Sequence, residues 1–179
     1  MIPIKVVVAG GFGVGKTTFV GSISEIVPLT TEAALTTVTD DVDHTRTNTT
    51  KRTTTVAMDF GRLTLGDDLL LYLFGTPGQD RFRFLWDHLC RGAIGAVVLV
   101  DTRRFEQCFE AIDYFEQRRL PFLVAVNCFY GVASHSDADI RDALAIRPEV
   151  PMLKVDARDK TSARRAITEL TQHALSKVN

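Results

Sequence analysis

Apolar residues along this chain follow two rhythms. Ile4 to Ala9 is a run of mostly β-branched residues read as the first strand, and Ile94 to Val100 and Pro121 to Val126 are short continuous apolar runs, as in parallel strands covered on both faces. Thr55 to Leu65 alternates loosely, Gly66-Asp67-Asp68 reads as a hairpin turn, and Leu69 to Phe74 as the returning strand. Met152 to Val155 is a short last strand. Between the strands the period changes to that of a helix: Phe105, Cys108, Phe109, Ile112 and Phe115 share one face, as do Ala166, Ile167, Leu170 and Ala174 within 163–175. Another helix is predicted from about Lys16 to Val27, stopped by Pro28. Residues 29–53 are polar, rich in threonine and without an apolar period, and read as one long loop. The sum is one α/β domain spanning residues 1–179, three layers deep, with a mostly parallel six-stranded sheet and helices on both faces.

The first run ends in chemistry. Gly10-Gly11-Phe12-Gly13-Val14-Gly15-Lys16-Thr17 fits G-x-x-x-x-G-K-[ST], followed by Thr18 at the start of a helical pattern. Main-chain N–H groups must curl around a phosphate there, and glycine lets the chain turn without a Cβ in the way. The following helix adds free N–H groups and the positive end of its dipole. Lys16 reaches toward the terminal phosphates, and the Thr17 hydroxyl is a ligand for Mg²⁺. This predicts a nucleoside di- or triphosphate site.

Composition narrows the partners. At 45% hydrophobic and 24% charged the chain is globular, and a net charge of -1 offers no footprint for nucleic acid or an anionic membrane. Cys90, Cys108 and Cys128 have neither disulfide-framework nor zinc spacing, which points to a reducing cytoplasm. No apolar run reaches about 18 residues, and no lipidation motif is present at either end, so any membrane recruitment would go through a partner.

The remaining motifs carry a family resemblance. Gly75-Thr76-Pro77-Gly78-Gln79 is similar to the D-T-A-G-Q of small Ras-like P-loop GTPases, and Thr53-Thr54-Thr55 before Asp59-Phe60 resembles the end of their switch I. Asn127 ends a strand where they place N-K-x-D, and Asp156-Ala157-Arg158 stands in the place of S-A-K. Gly-Gly-Phe-Gly-Val-Gly-Lys-Thr-Thr, Phe-Gly-Thr-Pro-Gly-Gln and Asp-Ala-Arg look most like the bacterial gliding-motility-type GTPases, especially those of actinobacterial conservon operons. The resemblance implies GTP or GDP with Mg²⁺, and slow hydrolysis of GTP. It makes Gln79, Lys16 and Thr55 catalytic and Thr17 and Thr55 metal ligands. Gly10, Gly13, Val14, Gly15, Lys16, Thr17, Thr18, Gly78, Asn127, Asp156, Ala157 and Arg158 would hold the nucleotide. Switch segments at about 29–55 and 76–90 are implied, with a roadblock-type regulator and a sensor-kinase-like protein as partners.

Several positions depart from that pattern. Gly75 replaces the aspartate that holds a metal water, which leaves Asp59 or Asp101 as substitutes. Phe12 puts a ring beside the terminal phosphate, and Cys128, Phe129 and Tyr130 replace the lysine and aspartate of the guanine reader. Asp156 is the nearest replacement acceptor, with the Ala157 N–H facing O6 of the base. Arg52 and Arg46 are candidate arginines in cis. Two other classes share the P-loop: an inert nucleotide-binding scaffold, and a small P-loop ATPase or phosphotransferase.

Overall fold

Val6 and Val8 point to one side of a strand and Val7 and Ala9 to the other, and all four are fully buried. A strand so covered must be central, and the computed structural model places it there. The structure describes residues 1–39, 50–78, 80–132 and 134–177; of 30–39, 50–55, 80 and 81 it describes the main chain. In chain order the strands are β1 Ile2–Ala9, β2 Leu29–Thr39, β3 Thr50–Leu65, β4 Leu69–Gly75, β5 Ala93–Val100, β6 Phe122–Asn127 and β7 Met152–Val155. The helices are α1 Lys16–Ile23, α2 Trp86–Cys90, α3 Glu106–Arg118, α4 Asp137–Leu144 and α5 Lys160–Ser176.

The strands form one sheet in the order β2-β3-β4-β1-β5-β6-β7. Pairings from β4 through β1, β5 and β6 to β7 are parallel, whereas β2–β3 and β3–β4 are antiparallel. The expected α/β, mostly parallel P-loop fold is present, with seven strands where the pattern showed six. The added strand is β2, in the stretch read as a long loop, and β3 starts at Thr50 rather than Thr55. Threonine is β-branched and suits a pleated ladder, so a threonine tract pairs without an apolar period.

Helix α1 also ends earlier than Pro28 suggested. Ser24 is extended, and its hydroxyl accepts from the N–H groups of Ile26 and Arg62, which takes the chain away from the helix toward β3. Ser136 caps α4 by accepting from the Asp139 N–H.

The core has two halves, one on each face of the sheet. α1 and α5 bring Phe19, Ile167 and Leu170 against Val6, Leu73 and Leu99. α3 and α4 bring Ile112, Phe115 and Ile140 against Val7, Val98 and Val124. Each such side chain contributes about 1.5–3 kcal/mol by burial. Phe82 and Trp86 are also buried, with the Trp86 ring stacked 6.1 Å from Phe115. This packing fixes the carboxyl ends of the parallel strands on one rim, where ligands of such sheets bind.

Candidate functional site

The turn after β1 has little freedom. Gly10 has φ 144°, and a Cβ there would lie 2.6 Å from the Leu99 carbonyl oxygen. Gly15, at φ 108°, is the N-cap of α1, and a Cβ would meet Asn127 Nδ2 at 2.9 Å. No side chain caps α1, so the N–H groups of its first turn face the rim without side-chain acceptors. Lys16 is only 8% exposed, and its Nζ donates to the carbonyls of Gly10 and Gly11, both at 2.8 Å. Burial pushes its pKa down to about 8, against a smaller upward pull from Asp59. An anion delivered here meets a preformed cation and free amides.

Next to Lys16, the Thr17 hydroxyl donates to Asp59 Oδ2 at 2.6 Å. Asp59 is buried on β3, one step beyond the Phe60–Phe74 pair and therefore opposite Gly75. A Cβ on Gly75 would lie 3.1 Å from the Asp59 Cβ. The carboxylate on β3 thus fills the space that a side chain on β4 would need. A cavity of about 360 Å³ opens here, lined by Phe12, Gly13, Gly15, Lys16, Thr17, Thr18, Ala57, Asp59, Thr76 and Gly78. Thr76 Oγ1 is buried and has no partner among the described residues. Gly78 approaches the P-loop closely: a Cβ there would be 2.9 Å from Lys16 Nζ and 3.0 Å from the Phe12 Cα. The Phe12 ring points outward, 67% exposed. Asp101 does not join the group, since both its oxygens take Arg103.

A second cavity of about 160 Å³ shares Gly15 and Thr18 with the first, and Asn127, Phe129, Tyr130, Asp156, Ala157 and Arg158 complete its walls. Asn127, at the end of β6, ties the site together: Nδ2 donates to the Val14 carbonyl at 3.0 Å, and Oδ1 accepts from the Ala157 N–H at 3.1 Å. The Ala157 N–H, expected to face a base, is therefore held by Asn127. Asp156 accepts from the Arg158 main-chain N–H and from both ends of its guanidinium. These bonds draw its pKa down to about 2.

The structure brings Gly13, Gly15, Lys16, Thr17, Thr18 and Gly78 together around one cavity, with Gly10 tied to it through Lys16 and Val14 through Asn127, and Asn127, Asp156, Ala157 and Arg158 around its neighbour. Gln79 and Arg46 lie outside the described residues. Thr55 and Arg52 lie on β3, where the main chain alone is described. Sequence reasoning missed the aromatic flank of the second cavity. Arg103 Cζ lies 4.2 Å from the Phe129 ring and Arg158 Cζ 5.2 Å from Tyr130. The available signal was a repeat: Asp101-Thr102-Arg103 and Asp156-Ala157-Arg158 follow two parallel strands with the same spacing.

A third hollow of about 500 Å³ lies beside Gly10, Gly11 and Phe12, toward Arg83, Trp86 and α3. Glu106 and Glu110 line it, the latter paired with Arg83, whereas the cavity at Lys16 offers a buried ammonium and the α1 amides and suits phosphate better.

Fold and site together define a P-loop nucleotide-binding protein with a G-domain-like fold. It resembles the FeoB G-domain of Methanococcus jannaschii with a TM-score of 0.64 and 12% identity, over 97% of this chain and 99% of that one. The chain belongs to the family described as conserved hypothetical ATP binding protein, which matches residues 8–177. An uncharacterized protein of Methanocaldococcus jannaschii is 29% identical over 126 residues, 69% of each chain.

Proposed function

We propose that the chain is a GTP-hydrolysing molecular switch. The observation that carries this reading is the convergence of Lys16, Thr17 and Asp59 on one cavity that runs through Gly15 and Thr18 into a second, base-sized one. Lys16 and the amides of α1 bind the phosphates. The hydroxyl and carboxylate oxygens at Thr17 and Asp59 suit a hard cation, and the unpartnered Thr76 hydroxyl adds another oxygen. Thr17 would hold Mg²⁺ directly and Asp59 through water, and the ion when bound neutralises charge on the phosphate oxygens. Among the described residues no cluster of three acidic, histidine or cysteine side chains could hold a metal. Gln79 orients the attacking water and Thr55 closes over the terminal phosphate. Ala157 and Asp156 read the guanine edge once the base displaces Asn127 from the Ala157 N–H and uses the acceptor capacity that Arg158 leaves on the Asp156 carboxylate.

Among the described residues no arginine lines the phosphate cavity, and this makes turnover slow. Single-turnover hydrolysis of GTP with Mg²⁺ should run near the roughly 10⁻⁴ s⁻¹ of unassisted enzymes of this type. A rate near 1 s⁻¹ would refute slow turnover, and GTP binding with no cleavage would leave an inert scaffold. The two states would differ at 29–55 and 76–90, toward a roadblock-type regulator and a sensor-kinase-like protein in the cytoplasm. No helix among the described residues is long and apolar enough to cross a membrane.

One observation favours a second reading, ATP. The Ala157 N–H and both polar atoms of Asn127 are already paired, so the cavity shows no group reserved for guanine. Chromatography of the nucleotide released on denaturation, followed by GTP–ATP competition, decides between them. Equal affinities remove the guanine assignment.

A further inference from the structure

Tyr130 sits in a conformation that its own packing does not repay. Its backbone lies in the left-handed region at φ 60°, ψ 24°, where a Cβ and bulky ring are disfavoured. The ring is 82% exposed, so no burial offsets that cost. Its neighbour Phe129 lies under the Arg103 guanidinium, itself held by Asp101, and is the less exposed of the two rings. Both line the cavity shared by Asn127, Asp156 and Ala157, which Lys16 does not line. Arg158 stands 5.2 Å from the Tyr130 ring and is fixed by three bonds to the Asp156 carboxylate. A strained, open aromatic ring and an immobilised guanidinium thus bracket one small cavity. Flat heteroaromatic rings stack on both kinds of group.

We propose that Tyr130 is a nucleobase platform: its ring stacks on the face of the bound base while Arg158 holds the neighbouring edge of the cavity. The proposal rests on the nucleotide reading above and adds a face contact to it. Stacking is indifferent to the polar edge of the base, because every base has a π-face. Tyr130 therefore sets affinity for purine nucleotides in general and leaves discrimination between them to other groups.

The test measures Mg²⁺-dependent affinity for GTP, ATP and inorganic tripolyphosphate in wild type, Tyr130→Ala and Tyr130→Phe. Tyr130→Ala should weaken GTP and ATP by a similar factor, at least about fivefold from the loss of one stacking contact. Tripolyphosphate, which has no base, should bind the variant as it binds wild type, and Tyr130→Phe should bind both nucleotides normally. Unchanged nucleotide affinity in Tyr130→Ala overturns the proposal, as does an equal loss for tripolyphosphate, which marks a structural role. Weakness in Tyr130→Phe moves the contact from ring to hydroxyl and also overturns it. If wild type binds tripolyphosphate and neither nucleotide, the platform and the nucleotide reading both fail.

Discussion

Lys16 has to be buried to meet phosphate and charged to bind it. The carbonyls of Gly10 and Gly11 solvate the ammonium, yet burial still lowers its pKa to about 8. A bound polyphosphate favours the charged form, so wherever Lys16 is partly neutral, binding takes up a proton. Affinity is then highest below pH 8 and falls above it, by up to about tenfold per pH unit. Lys16→Ala should weaken triphosphate binding at least about tenfold at pH 7, since a charge-assisted bond is worth about 1.5–3 kcal/mol. It should also flatten the pH dependence attributable to this residue; calorimetry at pH 7 and 9.5 on both proteins checks each claim. Residues of this kind were legible in the sequence because they are contiguous: Gly10 to Thr17 lie within one turn and one helix start. The present partner of the Ala157 N–H was not legible, because Asn127 lies 30 residues away on another strand.

At the level of elements, the carboxylate beside Thr17 comes from β3, and β4 offers only Gly75 opposite it. Residues 59 and 75 face each other across the β3–β4 ladder, and the Asp59 carboxylate takes up the room above Gly75. The sequence shows the missing side chain at Gly75, whereas its replacement depends on ladder register and on a contact spanning 42 residues. For the same reason β2 escaped notice: a threonine tract has no signature until its partner strand is known. If Asp59 does the work of the missing group, its position along the chain is interchangeable. Asp59→Gly should reduce Mg²⁺-dependent triphosphate affinity at least about tenfold, the scale of one charge-assisted contact. Gly75→Asp alone should do no better, because it sets a second carboxylate against the first. The double variant Asp59→Gly/Gly75→Asp should recover most of the loss. Metal titrations of the four proteins measure this, and a double variant no better than Asp59→Gly would show that the strands are not exchangeable.

For the whole molecule, the site gathers distant parts of the sheet. Its walls come from the turn after β1, from Asp59 on β3, from Thr76 and Gly78 after β4, and from the ends of β6 and β7. Any ligand that binds the folded chain alone stabilises it by mass action, by about 2.7 kcal/mol at a hundred times its Kd. In a chain of this length that raises Tm by roughly 5–10 °C. Such a shift follows equally for a switch and for a scaffold, so the discriminating quantity is where the protection falls. Gly78 already lies against Lys16 and Phe12, leaving little room between them, and a third phosphate has to enter at that point. A triphosphate should therefore displace and re-anchor the segment from Thr76 to Cys90, whereas a diphosphate leaves it as it stands. The expected outcome is amide hydrogen exchange in 76–90 that differs between a non-hydrolysable GTP analogue and GDP, each at equal saturation with Mg²⁺. The first turn of α1 should be protected alike by both. Identical protection throughout 76–90 in the two states would remove the switch and leave a nucleotide-binding scaffold.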